Sequence, residues 1–308
     1  MSTQPAAIEV KGLRKVYTGG FEAVRGIDLR VETGDFFALL GPNGAGKSTT
    51  IGMISSILRK TAGDISIGGF DLDRQRAHAK ALLGVVPQEI NVAAFDTCWQ
   101  TMLNQAGYYG VSAQKAKPRA EALLKKLDLW DKRHAQGFQL SGGMKRRLMI
   151  ARGLVHQPKV LILDEPTAGV DVEIRQSMWA FIKQLNNEGV TIILTTHYLE
   201  EAENLCNRVA IIDQGELVEQ TDMQTLLRQL KNETIVLYAA QPLTQCPVLK
   251  DFACRLTAEG DLEVDIHCGQ PLHELFAVLA EQGVIVSGLR NKANRLEKLF
   301  LDRVGGAA

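Results

Sequence analysis

Gly41-Pro42-Asn43-Gly44-Ala45-Gly46-Lys47-Ser48-Thr49 is the stretch on which the fold turns. An apolar run, residues 36–40, precedes it and reads as a buried strand. Residues 50–59 follow with the isoleucine, methionine and leucine pattern of a helix packed on a sheet. A strand, a glycine-rich loop ending in Lys-Ser/Thr, and a helix together form the context of a phosphate-binding P-loop. The residue types suit that chemistry. Gly41, Gly44 and Gly46 let the backbone curl so that successive N–H groups of the 41–46 loop point inward. The helix that follows adds its positive end. Lys47 is spaced to reach the β- and γ-phosphates of a nucleoside triphosphate. Ser48 is placed to put its hydroxyl on Mg²⁺, with Thr49 near the α- and β-phosphates.

The 308 residues leave room for one large domain and one small one. Hydrophobic residues make up 45% of the chain, enough for a substantial core. Lys+Arg and Asp+Glu are both 35, a formal net charge of +0 that argues against a chain built to coat nucleic acid. No apolar run reaches the ~18–20 residues that span a bilayer, and residues 1–7 lack the features of a signal peptide. A cytosolic location is expected. The five cysteines, Cys98, Cys206, Cys246, Cys254 and Cys268, form no CxxC pair, so neither zinc nor disulfides are indicated. His267, Cys268 and His273 lack a metal-ligand spacing.

Residues 8–17 and 24–31 alternate apolar and polar side chains and are expected to be antiparallel strands flanking the P-loop strand. Residues 63–69 read as a strand and turn, and 83–87 as an apolar strand before Gln88. Residues 97–157 carry a helical pattern. Apolar strands are then expected at 160–163, 190–195, 209–212 and 217–218, with helices between the first three. Strands alternating with helices imply a mostly parallel sheet covered on both faces. Composition shifts again near 230–233. Beyond it, 234–238, 262–266 and 284–286 read as strands, and 271–282 and 293–304 as helices.

Val160-Leu161-Ile162-Leu163-Asp164-Glu165 ends an apolar strand in two carboxylates. Beside a P-loop, Asp164 is the residue expected to hold Mg²⁺, and Glu165 the one able to polarise an attacking water. Leu140-Ser141-Gly142-Gly143-Met144 opens a further helix with a serine and two glycines, a second arrangement suited to an anion. A second phosphate site in a chain that already has a P-loop suggests that it serves the nucleotide of another copy.

P-loop, LSGG and LILDEP, in this order, resemble the ATP-binding subunits of ABC transporters over about residues 8–220. Met144 departs from the family's LSGGQ signature and leaves Ser141, Gly142 and Gly143 intact. The resemblance implies further positions. Tyr17 matches an aromatic that stacks on adenine, and Gln88 a glutamine that senses Mg²⁺ or water. His197 matches the switch histidine that contacts the γ-phosphate. Residues 168–171 match a loop crossing the dimer interface, with Asp171 its functional member. The implied fold is α/β: a P-loop NTPase with a mostly parallel sheet core, an antiparallel β subdomain and an inserted helical subdomain, about 89–157. The ATPase domain is expected over 1–230 and a small C-terminal α+β appendix over 231–308. The resemblance is nearest to ATPases paired with ABC-2 type permeases, largely exporters, through residues 105–110 and 294–300. It implies ATP and Mg²⁺ as cofactors and a homodimer on two nucleotides. It also implies a separate membrane permease, attachment to the cytoplasmic face of the inner membrane through it, and no nucleic-acid partner. Phe95, Trp99, Tyr108 and Tyr109 are expected to line the permease dock. The alternative is a soluble ABC-type ATPase working on nucleic acid or in translation. The single P-loop and the lack of a long coiled-coil insertion weigh against it.

Overall fold

The computed structural model describes residues 5–229, 232–249, 252–267, 270–292, 296 and 299. The chain divides into two compact units, Met1–Thr221 and Asp222–Ala308. Along the first unit run β1 (Ile8–Val16), β2 (Glu22–Val31), β3 (Phe36–Leu40), α1 (Lys47–Ile54), β4 (Ala62–Ile67), β5 (Phe70–Asp71), α2 (Arg76–Ala81) and β6 (Leu83–Val86). The helical block follows as α3 (Cys98–Tyr108), α4 (Ala113–Lys126) and α5 (Gly142–Leu154). The unit then continues through β7 (Val160–Asp164), α6 (Val172–Asn187), β8 (Thr191–Thr195), α7 (Leu199–Leu205), β9 (Arg208–Asp213) and β10 (Glu216–Asp222).

The main sheet has the order β10-β9-β3-β8-β7-β6. All five residues of β3 and of β8 are buried, the mark of a parallel sheet covered on both faces; Phe37 and Leu39 of β3 share a core cluster with α1 and with strands β1, β2 and β4. Strand β3 pairs in parallel with β8, Leu39 opposite Thr195, and with β9, Leu40 opposite Ile211. Strand β7 pairs in parallel with β8, Asp164 opposite Thr195. These registers bring the carboxyl ends of β3, β6, β7 and β8 to one edge, where open α/β sheets place their ligands.

The expectation that residues 8–17 and 24–31 flank the P-loop strand is corrected. Strands β1 and β2 lie in a separate sheet of order β2-β1-β4-β5, and β3 is flanked by β8 and β9. The patterning gives the reason. Strand β2 alternates buried and exposed positions, which suits an antiparallel sheet with one solvated face.

The second unit holds α8 (Met223–Arg228), β11 (Asn232–Ala239), β12 (Ala253–Leu256), β13 (Leu262–His267), α9 (Leu272–Glu281) and β14 (Val286–Asn291). Its antiparallel sheet has the order β12-β13-β11-β14. Leu275 and Leu279 of α9 cluster with Ile235, Leu237, Leu262 and Val264 of the sheet. Strand β12 and helix α8 were not expected, and the last strand begins at Val286, where 284–286 was expected to be the strand. The helix expected over 293–304 lies outside the described residues except for Leu296 and Leu299. Among the described residues no helix is long and apolar enough to cross a membrane.

Candidate functional site

The glycines of the 41–46 loop have different reasons for being glycine. Gly44 (φ +83°) and Gly46 (φ +105°) adopt left-handed backbone. Gly41 does not; a Cβ there would lie 2.2 Å from the Ile212 carbonyl oxygen on β9. Lys47 opens α1 and folds back over the loop, its Nζ donating to the Gly41 oxygen at 2.6 Å and the Pro42 oxygen at 3.0 Å. Burial lowers its pKa, while the charges of Glu165 and Asp164 raise it. Lys47 therefore sits in the field of both carboxylates. Ser48 is exposed at the start of α1. Thr49 beside it has its hydroxyl 3.5 Å from that of Tyr17. The Tyr17 ring is partly open to solvent, with the Lys15 ammonium 4.9 Å from its centroid.

Asp164 closes β7. Burial pushes its carboxyl above the ordinary range, opposed first by the hydroxyl of Thr195, which donates to Asp164 Oδ1. Glu165 follows in left-handed backbone, φ 46°, an uncommon conformation for a residue with a side chain. Its amide donates to the Thr195 carbonyl at 3.0 Å and to the Thr195 hydroxyl at 3.2 Å. That twist turns the side chain into the strand-end cluster. Glu165 Oε2 accepts from Gln88 Nε2 at 2.8 Å and lies 3.3 Å from His197 Nδ1. Gln88 comes from the chain just after β6, and His197 from just after β8. The structure thus brings Lys47, Gln88, Asp164, Glu165 and His197 to one edge of the sheet.

Ser141 stands apart, at the head of the helical block. It caps α5, its Oγ accepting from the Met144 amide at 3.2 Å. Gly142 has open space where a Cβ would be, and Gly143 faces Ile174 of α6. Asp171 precedes α6, is exposed and makes no side-chain capping bond.

Sequence reasoning passed over several residues of the site. Thr195 reads only as the end of an apolar strand. Arg146 lies in a run read as basic, but it is 3% exposed and donates to the Pro87 oxygen at 3.0 Å. Burial lowers its pKa, opposed by the charges of Asp164 and Glu165. Nothing in the run 145–147 marks which cation turns inward; only the position of α5 against the 87–88 turn does. The four aromatics expected at a dock fall in two places. Tyr108 and Tyr109 line a groove of about 590 Å³ with Ile57, Lys80 and Pro87. Phe95 packs against Phe138 at 6.3 Å and Trp99 edge-on to Trp130 at 6.0 Å, because both face other parts of the helical block.

The donor set suits a hard divalent cation. Ser48, Asp164 and Gln88 offer oxygen ligands, and a cation of this kind draws its remaining ligands from phosphate and water. No cluster of three or more His, Cys, Asp or Glu suited to a metal occurs among the described residues.

Residues 24–168 match the protein family described as ABC transporter. The chain is 35% identical to the linearmycin resistance ATP-binding protein LnrL of Bacillus subtilis (strain 168), over 97% of this chain and 98% of the relative. It is 38% identical to the Nod factor export ATP-binding protein I of Burkholderia pseudomallei (strain 1710b), over 97% of each. Among solved structures, an ATP-binding subunit of an ABC transporter superposes with a TM-score of 0.67 and 28% identity, over 72% of this chain and 92% of that one. A dimeric ATP-binding cassette in a post-hydrolysis state with ADP and Pi superposes with a TM-score of 0.64 and 26% identity, over 70% and 98%.

Proposed function

Since the chain belongs to the ABC transporter family and is an ATP-hydrolysing, ATP-binding subunit of such a transporter, we propose that it works as a head-to-tail dimer driving a separate ABC-2 type permease in export. The observation that carries this reading is the split between two anion-type sites. One is the strand-end cluster around Lys47 and Glu165. The other is Ser141-Gly142-Gly143 on the helical block, with its glycine N–H groups and helix dipole at the surface. A second copy, turned to face the first, completes each nucleotide pocket.

In this reading the 41–46 loop and Lys47 grip the β- and γ-phosphates, with Tyr17 against the adenine. Ser48, Asp164 and Gln88 would hold Mg²⁺, which supplies neutralisation of charge on the phosphates. Glu165 Oε2 takes the proton of the attacking water, and Gln88 and His197 hold that oxygen in place. His197 also reaches the γ-phosphate, and Asp171 meets the partner copy. The permease seats a short helix in the groove of Tyr108 and Tyr109 and fixes the complex to the cytoplasmic face of the membrane. The relatives named for export and for resistance to linearmycin support an outward direction. Glu165→Gln tests the reading. ATP affinity should persist, turnover should vanish, and light scattering should show a dimer accumulating with MgATP. Turnover equal to that of the wild type would remove Glu165 as the base.

A further inference from the structure

Glu201 has no part in the chemistry above, yet it is a carboxylate with 0% of its surface exposed. Burying a charge is costly unless donors surround it, and an apolar side chain of similar size would fill the space without that cost. What a buried carboxylate offers is direction. Its Oε1 accepts from the Thr167 hydroxyl at 3.0 Å and from Trp179 Nε1 at 2.7 Å. Burial raises its pKa, against Thr196, Trp179, Thr167 and the Arg175 guanidinium, which favour the charged form.

These groups come from separate parts of the site. Thr167 follows Glu165 and Pro166. Trp179 lies on α6, the helix headed by Asp171. Thr196 immediately precedes His197, and Glu201 sits in the first turn of α7, the helix that His197 leads into. The Glu201 amide bonds to the Tyr198 carbonyl at 3.0 Å, and the Arg175 guanidinium lies 4.6 Å from the centroid of the Tyr198 ring. Glu165 is thus held on both sides. Its own amide is fixed to Thr195, and the chain just beyond it is fixed through Thr167 to Glu201.

We propose that Glu201 is a positioning residue for ATP hydrolysis, clamping the Glu165–Thr167 segment to the His197–Tyr198 segment and so setting the Glu165–His197 distance. This rests on Glu165 as the base and His197 as its partner. The effect belongs in turnover, because the phosphate grip of the 41–47 loop does not involve Glu201. A displacement of about 1 Å at a reacting group can cost on the order of 10²-fold in rate.

The test uses the full chain with MgATP. Glu201→Ala should lower kcat about tenfold with KM for ATP within about twofold of wild type. Glu201→Gln keeps an oxygen that can accept from Thr167 and Trp179, and should recover most of that loss. Thr167→Val removes one donor without unburying the carboxylate. It should lower kcat about three- to tenfold, and add little when combined with Glu201→Ala. Folded Glu201→Ala with kcat near wild type would overturn the proposal, as would loss of kcat and KM in step. Should Glu201→Ala not fold, Thr167→Val decides alone, and unchanged kcat there sinks the idea. Glu165→Gln measured alongside separates the two readings. Turnover in that variant removes the base assignment. A dead Glu165→Gln beside a fully active Thr167→Val removes only the role of Glu201.

Discussion

A methyl group at residue 41 would sit 2.2 Å from the Ile212 oxygen, a clash with backbone that no rotamer relieves. Gly41→Ala is expected to cost about 1–3 kcal/mol through displacement of β3 from β9. It should lower both the melting temperature and ATP affinity; a variant that melts and binds like wild type would show that the loop relaxes freely. Another residue-scale effect sits at His156. Its ring stacks on Tyr109 with centroids 3.6 Å apart, and its Nε2 lies 3.0 Å from the Leu83 oxygen. Burial lowers its pKa from the ordinary 6.5, opposed by the Leu83 carbonyl. The unfolded chain therefore takes up this proton more readily than the folded one. The contribution is complete above about pH 6.5 and is lost as pH falls below it. His156→Phe keeps a stacking ring and removes the titrating group. Between about pH 7 and pH 5 its melting temperature should fall less steeply than that of wild type; equal slopes would assign the acid sensitivity to other groups. The tight turn of the 41–46 loop and the lysine after it were legible, because closely spaced glycines and one lysine mark them. Arg146 and Glu201 were not, because a charged residue in a helical pattern reads as solvent-facing until the packing of that helix is known.

At the scale of elements, α3 begins at a capping box. Thr97 Oγ1 accepts from the Gln100 amide at 3.1 Å, and Gln100 Oε1 accepts from the Thr97 amide at 2.9 Å. Thr97→Ala should cost about 1 kcal/mol, seen as an earlier unfolding midpoint in urea. Helix α3 ends at Tyr108, which is 85% exposed on the rim of the groove. Tyr108→Ala should leave the ATPase rate of the isolated protein unchanged and weaken its recovery with membranes carrying the permease. Undiminished recovery would place the dock elsewhere. Strands β3, β7 and β8 were legible as continuous apolar runs, and their parallel pairing followed from the helices between them. The placement of β1 and β2 was not. Alternation reports that one face is wet, and it does not report which strand lies alongside. The short elements β5, α2, α8 and β12 escaped notice because so few residues carry no period.

The whole molecule comprises two units, each with a hydrophobic cluster of its own. A fragment ending at residue 222 keeps β10 entire and every residue assigned to the nucleotide site. It should therefore bind ATP with an affinity close to that of the full chain. Loss of binding in a folded fragment would give Asp222–Ala308 a part in the site. If two copies complete each pocket, turnover per chain should rise with protein concentration and level off once dimers dominate. A specific rate independent of dilution would mean that one copy suffices.

Local chemistry in the sequence determined the glycine-rich loop ahead of Lys47, the two acidic residues at the end of β7, the serine-glycine head of α5 and the α/β class. Each is written in neighbouring residues, and short-range backbone geometry needs nothing else. The tertiary structure alone decided that Glu165, Gln88 and His197 meet at one oxygen, that Arg146 turns inward, and that Glu201 joins the segments behind the base and the histidine. Those contacts join residues far apart in the chain. The first depends on the parallel registry that brings the ends of β3, β6, β7 and β8 to a single edge, and the other two on how α5, α6 and α7 pack.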